Sequence, residues 1–172
     1  MADDTFHLTP HEWVQVRRQT PELLEVEGNW AAGGSPPPKH FHPGQDEAFE
    51  VLAGSLETWV DGRQATLSEG ETLEIPRGAV HRMWNPGDEP ARALWRTSPA
   101  GRTADWWADL SALRESGRVG KDGMPGPLAF GAYLTEYRDV IRLAGPQPLL
   151  RPALLGLGVI GRLRGYRPAG RS

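Results

Sequence analysis

His40, His42 and Glu47 fall within eight residues of one another, directly after three consecutive prolines, in the stretch SPPPKHFHPGQDEAFEVLAG. Alternate residues of a strand point to the same face, so His40 and His42 could reach one metal ion. They could equally be two polar side chains at the start of a strand. The chain contains no cysteine, which excludes disulfides and thiolate metal sites. Any metal must therefore be held by nitrogen and oxygen. A third histidine, His81, stands far downstream in EIPRGAVHRMWNPG. The elements around these residues decide whether they can meet.

A chain of 172 residues is long enough to bury one core without covalent staples. The central region is punctuated by glycine, proline and asparagine at about every 8–12 residues, the rhythm of an all-β sandwich or barrel. Strands are expected in LLEVEGNWAAG, EAFEVLAG, EGETLEIPRG, AVHRMWNPGDEP and ARALWRTSP. A hairpin is expected in SLETWV-DG-RQATL, where Asp61-Gly62 suits a type I′ turn. Beyond residue 100 the period changes. Thr103 can cap a helix running to Leu113, with Gly117 as its stop and Trp106, Leu110 and Leu113 on one face. Phe130, Tyr133, Leu134, Tyr137, Val140, Ile141 and Ala144 then recur at helical spacing, and a last apolar segment begins at Leu149. The expected organisation is an N-terminal arm with at most a short strand (1–20), a β-barrel (21–100) and a helical C-terminal extension (101–172) packing on the barrel or on a partner subunit.

Two spacings unite the chemistry with these elements. From Gly34 the chain runs five residues to His40, one to His42, four to Glu47 and six to Gly54. From Gly70 it runs five residues to Pro76, one to Gly78, two to His81 and three to Asn85. In this order the two patterns resemble the paired motifs of the cupin superfamily, and the resemblance covers about residues 30 to 98. It implies an all-β fold, the cupin double-stranded β-helix or jelly-roll barrel, here with a C-terminal α-helical extension. It further implies that His40, His42, Glu47 and His81 bind one divalent transition metal ion per chain. Iron is the first choice, with manganese, nickel, zinc and copper not distinguished. Asp46 is a conceivable substitute for Glu47, but the gap to Gly54 favours Glu47. Three imidazoles and one carboxylate leave room on an octahedral ion for water, substrate or dioxygen.

If Glu47 and His81 face inward, alternation turns Phe49, Val51 and Met83 inward as well, and Trp95 lies nearby on an undetermined face. These four are the candidate substrate pocket, with ordinary barrel core as their alternative role. Asn85 is expected to serve a turn. No acid–base residue stands out apart from the ligands: Glu57 and Glu74 are expected to face solvent, and His7 and His11 to lie on a solvated arm. The superfamily resemblance implies an enzyme acting on a small organic molecule, foremost an Fe(II)-type dioxygenase. Metal-assisted isomerases, cyclases or lyases and a non-catalytic metal-containing binding or sensing module are the alternatives.

Net charge is −3, yet the last 33 residues hold six arginines and no acidic residue, so the preceding body carries about −9. An acidic body argues against nucleic acid as a partner. The Arg- and Leu-rich tail is expected to pack on the barrel or in a homodimer, with contact to an anionic membrane surface as the alternative. The first residues show neither a basic n-region nor an apolar h-region, from which a cytoplasmic location is expected.

Overall fold

Period-two alternation between the punctuating residues produces eleven strands in the computed structural model, which describes residues 5–120 and 123–169. They are β1 (Thr5–Thr9), β2 (Glu12–Gln19), β3 (Leu24–Trp30), β4 (His40–Phe41), β5 (Asp46–Ala53) and β6 (Ser55–Val60). β7 (Arg63–Ser68), β8 (Thr72–Ile75), β9 (His81–Trp84), β10 (Ala91–Ser98) and β11 (Arg142–Leu143) complete the set. Three helices follow the barrel strands: α1 (Thr103–Glu115), α2 (Pro127–Glu136) and α3 (Gln147–Leu163). Two antiparallel sheets face each other, one ordered β1-β2-β3-β10-β5-β8 and the other β11-β4-β9-β6-β7. This is the expected jelly-roll barrel with a helical extension.

Local chemistry explains the register. Asp61 and Gly62 both take positive φ, at 45° and 92°, as a two-residue type I′ hairpin requires. Gly54 is obligatory for two reasons: its φ is +72°, and a Cβ there would stand 2.6 Å from the Pro90 carbonyl oxygen. Along β5 the inward residues are Glu47, Phe49 and Val51, and along β9 they are His81 and Met83. The alternation read from the sequence therefore holds across the site.

Hydrophobic burial divides into two clusters. One fills the space between the sheets, with Trp30, Phe49, Val51, Leu56, Ile75 and Met83 among its members. The other joins β1–β3 to the helices through Leu8, Val14, Leu24, Val26, Trp106, Trp107, Leu110, Tyr133 and Tyr137. Each large apolar side chain buried in this way contributes about 1.5–3 kcal/mol. Trp95 packs against both clusters.

The flanks differ from expectation in three places. The first residues are more than an arm: β1 and β2 form a hairpin that extends the larger sheet from β3, and Val14 is fully buried. Thr103 does not cap α1, whose N-cap is Arg102. Its hydroxyl instead accepts a 2.7 Å hydrogen bond from Gln45 Nε2, which also reaches the carbonyls of Pro99 and Ala100 and ties the β4–β5 loop to the start of α1. The second helical run stops at Glu136. The β-branched pair Val140-Ile141 leads into an extended segment, and Arg142–Leu143 pairs with β4 as β11. The last segment forms α3, which lies against α2 so closely that a Cβ on Gly161 would collide with the Leu128 carbonyl oxygen. Its other face leaves Leu149, Leu155, Val159, Ile160 and Leu163 exposed. Among the described residues no helix is long and apolar enough to cross a membrane.

Candidate metal centre

Three short elements bring the histidines together. His40 on β4 pairs directly with His81 on β9, and His42 follows β4 at the turn where the Gly78 amide donates to its carbonyl. The ring nitrogens that face one another on His40, His42 and His81 all lie within 4.8 Å of each other. Glu47 enters from the opposite sheet, with its oxygens 3.5 Å from His42 Nε2 and 3.0 Å from His81 Nε2. Asp46 points the other way, paired with Arg77 at 2.6 Å on the surface. The choice of Glu47 over Asp46 as the inward carboxylate is thus decided by strand parity.

The outer nitrogens set the tautomers. His40 Nδ1 lies 3.0 Å from the Pro38 carbonyl, His42 Nδ1 2.7 Å from that of Val140, and His81 Nδ1 3.0 Å from that of Ala79. A carbonyl can only accept, so each Nδ1 carries a proton, and it is the Nε2 of each ring that turns inward. These inward nitrogens then face a carboxylate. His42 Nε2 and Glu47 Oε2 are buried and make no hydrogen bond of good geometry. Such an arrangement is repulsive unless a positive charge lies between the atoms, which is the condition that a divalent cation with nitrogen and oxygen ligands satisfies. The residues fit the implied metal.

Electrostatics show the same need. Burial, then the neighbouring His81 and His42, pushes the His40 imidazole down to about 3. Burial alone would raise the Glu47 carboxyl, but the facing imidazoles of His42, His81 and His40 outweigh it and bring it to about 2. For His81 burial works against protonation, yet the close Glu47 carboxylate, 3.0 Å from its Nε2, prevails and its value rises. A proton on His81 thus relieves the cluster where no other cation does.

A second layer orients the carboxylate and one imidazole. Trp95 Nε1 donates to Glu47 Oε1 at 3.0 Å, which settles the face of Trp95. The Val140 carbonyl that holds His42 comes from the segment after α2. Partners of this kind fix ligand rotamers and tune ligand basicity.

The cluster opens into a cavity of about 140 Å³ with largely apolar and aromatic walls. Of the residues predicted for the pocket, Phe49, Met83 and Trp95 line it, while Val51 is wholly buried in the core between the sheets and takes no part in the wall. A larger cavity of about 640 Å³ adjoins it, sharing Thr9, Glu12, Trp30, Met83 and Phe130. His11 lines the outer cavity and His7 is exposed, so neither joins the cluster. Asn85 serves its turn, accepting from the Gly87 amide and donating to the carbonyls of Trp30 and Glu89.

Sequence reasoning missed three contributions to this site. Trp106, Trp107 and Leu110 of α1 form part of the wall, as do Ile141 and Leu143 near β11. These arrive by tertiary packing, and no local pattern announces them. Glu12 also lines both cavities, and here a signal existed: it shares strand parity with the buried Val14. Burial, reinforced by the charge of Glu47, lifts its carboxyl to about 7, with the Trp30 indole N–H offsetting part of the rise. The sequence reading did not single out this carboxyl.

A jelly-roll barrel here carries three converging imidazoles at one end of a cavity, and comparison finds proteins similar to it. The family model described as "Cupin domain" matches residues 27–96, so that segment of the chain is similar to the cupin family. It is 33% identical over 98 residues to the tetracenomycin polyketide synthase protein TcmJ of Streptomyces glaucescens, covering 57% of this chain and 59% of that protein. It is 42% identical over 76 residues to the oxidoreductase iacF of Pestalotiopsis fici, covering 36% of this chain and 37% of that protein. The chain thus spans well under two thirds of these relatives. An RmlC-like cupin from Shewanella frigidimarina shares the fold, with a TM-score of 0.51 at 19% identity over 58% of this chain and 86% of that one.

Proposed function

We propose that the protein is a metal-dependent enzyme acting on a small, largely apolar organic molecule, with His40, His42, Glu47 and His81 as the ligands of one divalent ion. The observation that carries this reading is the set of three pinned Nδ1 atoms, which leaves three Nε2 atoms and a carboxylate converging at one end of an apolar-walled pocket. A metal held there would supply Lewis acidity toward substrate oxygens or activate dioxygen. The chain's own residues do the rest: Trp95 holds Glu47 in place, and Phe49, Met83, Trp106 and Phe130 grip an apolar body and exclude water.

Within this class we favour an iron-dependent dioxygenase, a reading supported by the three-imidazole, one-carboxylate donor set and by the oxidoreductase naming of iacF. The naming of TcmJ as a polyketide synthase protein supports a polyketide-derived substrate. A second reading, metal-assisted isomerisation or cyclisation without dioxygen, is favoured by one specific observation, the Glu12 carboxyl on the cavity wall. Oxygen uptake by the Fe(II)-loaded chain with small aromatic polyketides separates the two. Turnover that stops under argon supports the dioxygenase; equal turnover under argon, or with zinc in place of iron, moves the assignment to the second reading.

A further inference from the structure

We infer that Glu12 is the proton-transfer residue of the cavity, serving substrates that carry an enolisable carbonyl on an apolar, ring-sized body. This deepens the function proposed above and rests on its placement of the substrate between the histidine cluster and the aromatic walls. Four observations support it. Glu12 lies on the wall shared by both cavities. Apart from the three histidines it is the one ionisable side chain among the described residues lining the inner cavity. Its backbone is held rigidly, as the first residue of β2 paired with Trp30 of β3 and with Thr9 across the β1–β2 turn. Its neighbours on that wall, Trp30, Pro37, Pro38, Met83 and Phe130, offer it no ion pair.

Charge in the surroundings suits the role. Glu47 on β5 is the acidic group whose field reaches it, His40, His42 and His81 stand beyond it around the inner cavity, and His11 lines the outer one. A carboxyl lifted toward neutrality exchanges protons most effectively near neutral pH, where both forms are populated. The step balances without an oxidant. The Glu12 carboxylate takes a proton from the carbon beside the carbonyl, the C–H electron pair forms the new C=C bond, and the carbonyl π pair moves onto oxygen. The oxygen pair then re-forms the carbonyl, and the C=C pair takes a proton from the Glu12 carboxylic acid at the same carbon, so that after exchange with solvent that carbon carries deuterium.

The test uses the full-length chain, zinc-loaded, with 2-tetralone as an enolisable probe in D2O, and follows loss of the proton signals beside its carbonyl by NMR. Wild type should accelerate this exchange. Glu12→Gln should slow it at least tenfold at unchanged zinc content, and Glu12→Asp should keep part of the rate. In parallel, 13C NMR of glutamate-labelled, metal-free protein, assigned by the Glu12→Gln spectrum, should show one carboxyl titrating near pH 7. Equal exchange in wild type and Glu12→Gln overturns the inference, as does an ordinary carboxyl titration for Glu12. A wild-type chain that binds no zinc overturns the metal reading instead, and the carboxyl titration then decides Glu12 alone.

Discussion

The cavity end built by β4, β5 and β9 differs from the wall built by β1, β2, α1, α2 and β11 in both chemistry and construction. The first is polar, buried and made by short sequence spacings: His40 and His81 are paired across two strands, and Glu47 faces them from the other sheet. The second is largely apolar, with Glu12 its one ionisable side chain among the described residues, and is assembled from segments far apart in the chain, all outside the stretch that the cupin family model matches. The two parts of the cavity wall are therefore specified by different parts of the chain. The two ends are nonetheless joined, because Trp95 touches Trp107 at 4.9 Å between ring centres while donating to Glu47, and the Val140 carbonyl holds His42.

The largest expected effect breaks the polar end alone. His81→Ala should reduce bound metal from about one ion per chain to nearly none, measured by elemental analysis after dialysis, while the circular dichroism of the helices stays unchanged. Full metal content in both His81→Ala and His42→Ala would remove the proposed site. Next comes the flank. Trp107→Ala should cost about 3–5 kcal/mol in denaturant unfolding, the usual range for deleting a buried tryptophan. Because Trp95 loses its support, this variant should also bind metal more weakly; unaltered metal affinity would show that the two ends are uncoupled.

Acid separates the ends by sign. In the metal-free chain His40 sits below the ordinary histidine value, so its contribution to stability falls away as the pH drops below about 6.5. Glu47 is depressed too, and its contribution is present above about 4.3 and lost as the pH falls toward 2. Glu12 is raised, so its contribution is full below about 4.3 and is lost as the pH rises through 7. His81, raised as well, contributes fully below about 6.5 and loses its share above that. Between about 4.3 and 6.5 the barrel and the flank therefore oppose each other. Wild-type stability should be nearly flat there and fall below it, whereas Glu12→Gln should already decline from about 6.5 downward, as denaturant melts in chelator would record. Identical pH profiles for the two proteins would contradict the placement of Glu12. The smallest effect is expected at Asp46→Asn, which breaks an exposed pair with Arg77 and should leave melting temperature and metal content unaltered, unlike Glu47→Gln.

Spacing and composition alone determined which way the side chains at the histidine end point. Strand alternation is a local property with a period of two, so His40, His42, Glu47, Phe49, His81 and Met83 could be assigned a face from their positions, and Asp61-Gly62 could be assigned a turn from its φ preferences. The absence of cysteine restricted the donors to nitrogen and oxygen. Only the tertiary structure decided the other wall. Val51 has the right parity but lies too deep between the sheets to meet the cavity, because depth along a strand is set by the facing sheet. The stretch from Val140 to Leu143 has helical spacing, yet pairing with β4 and the bond to His42 draw it into an extended form. Thr103 is a good cap by type, but its hydroxyl is engaged by Gln45. Glu12 shares the parity of Val14, but its surroundings depend on a cavity whose walls come from many separate stretches of chain. Local preferences specify which way a side chain points; what it points at is settled by contacts between residues remote in sequence, where the free energy of burial outweighs those preferences.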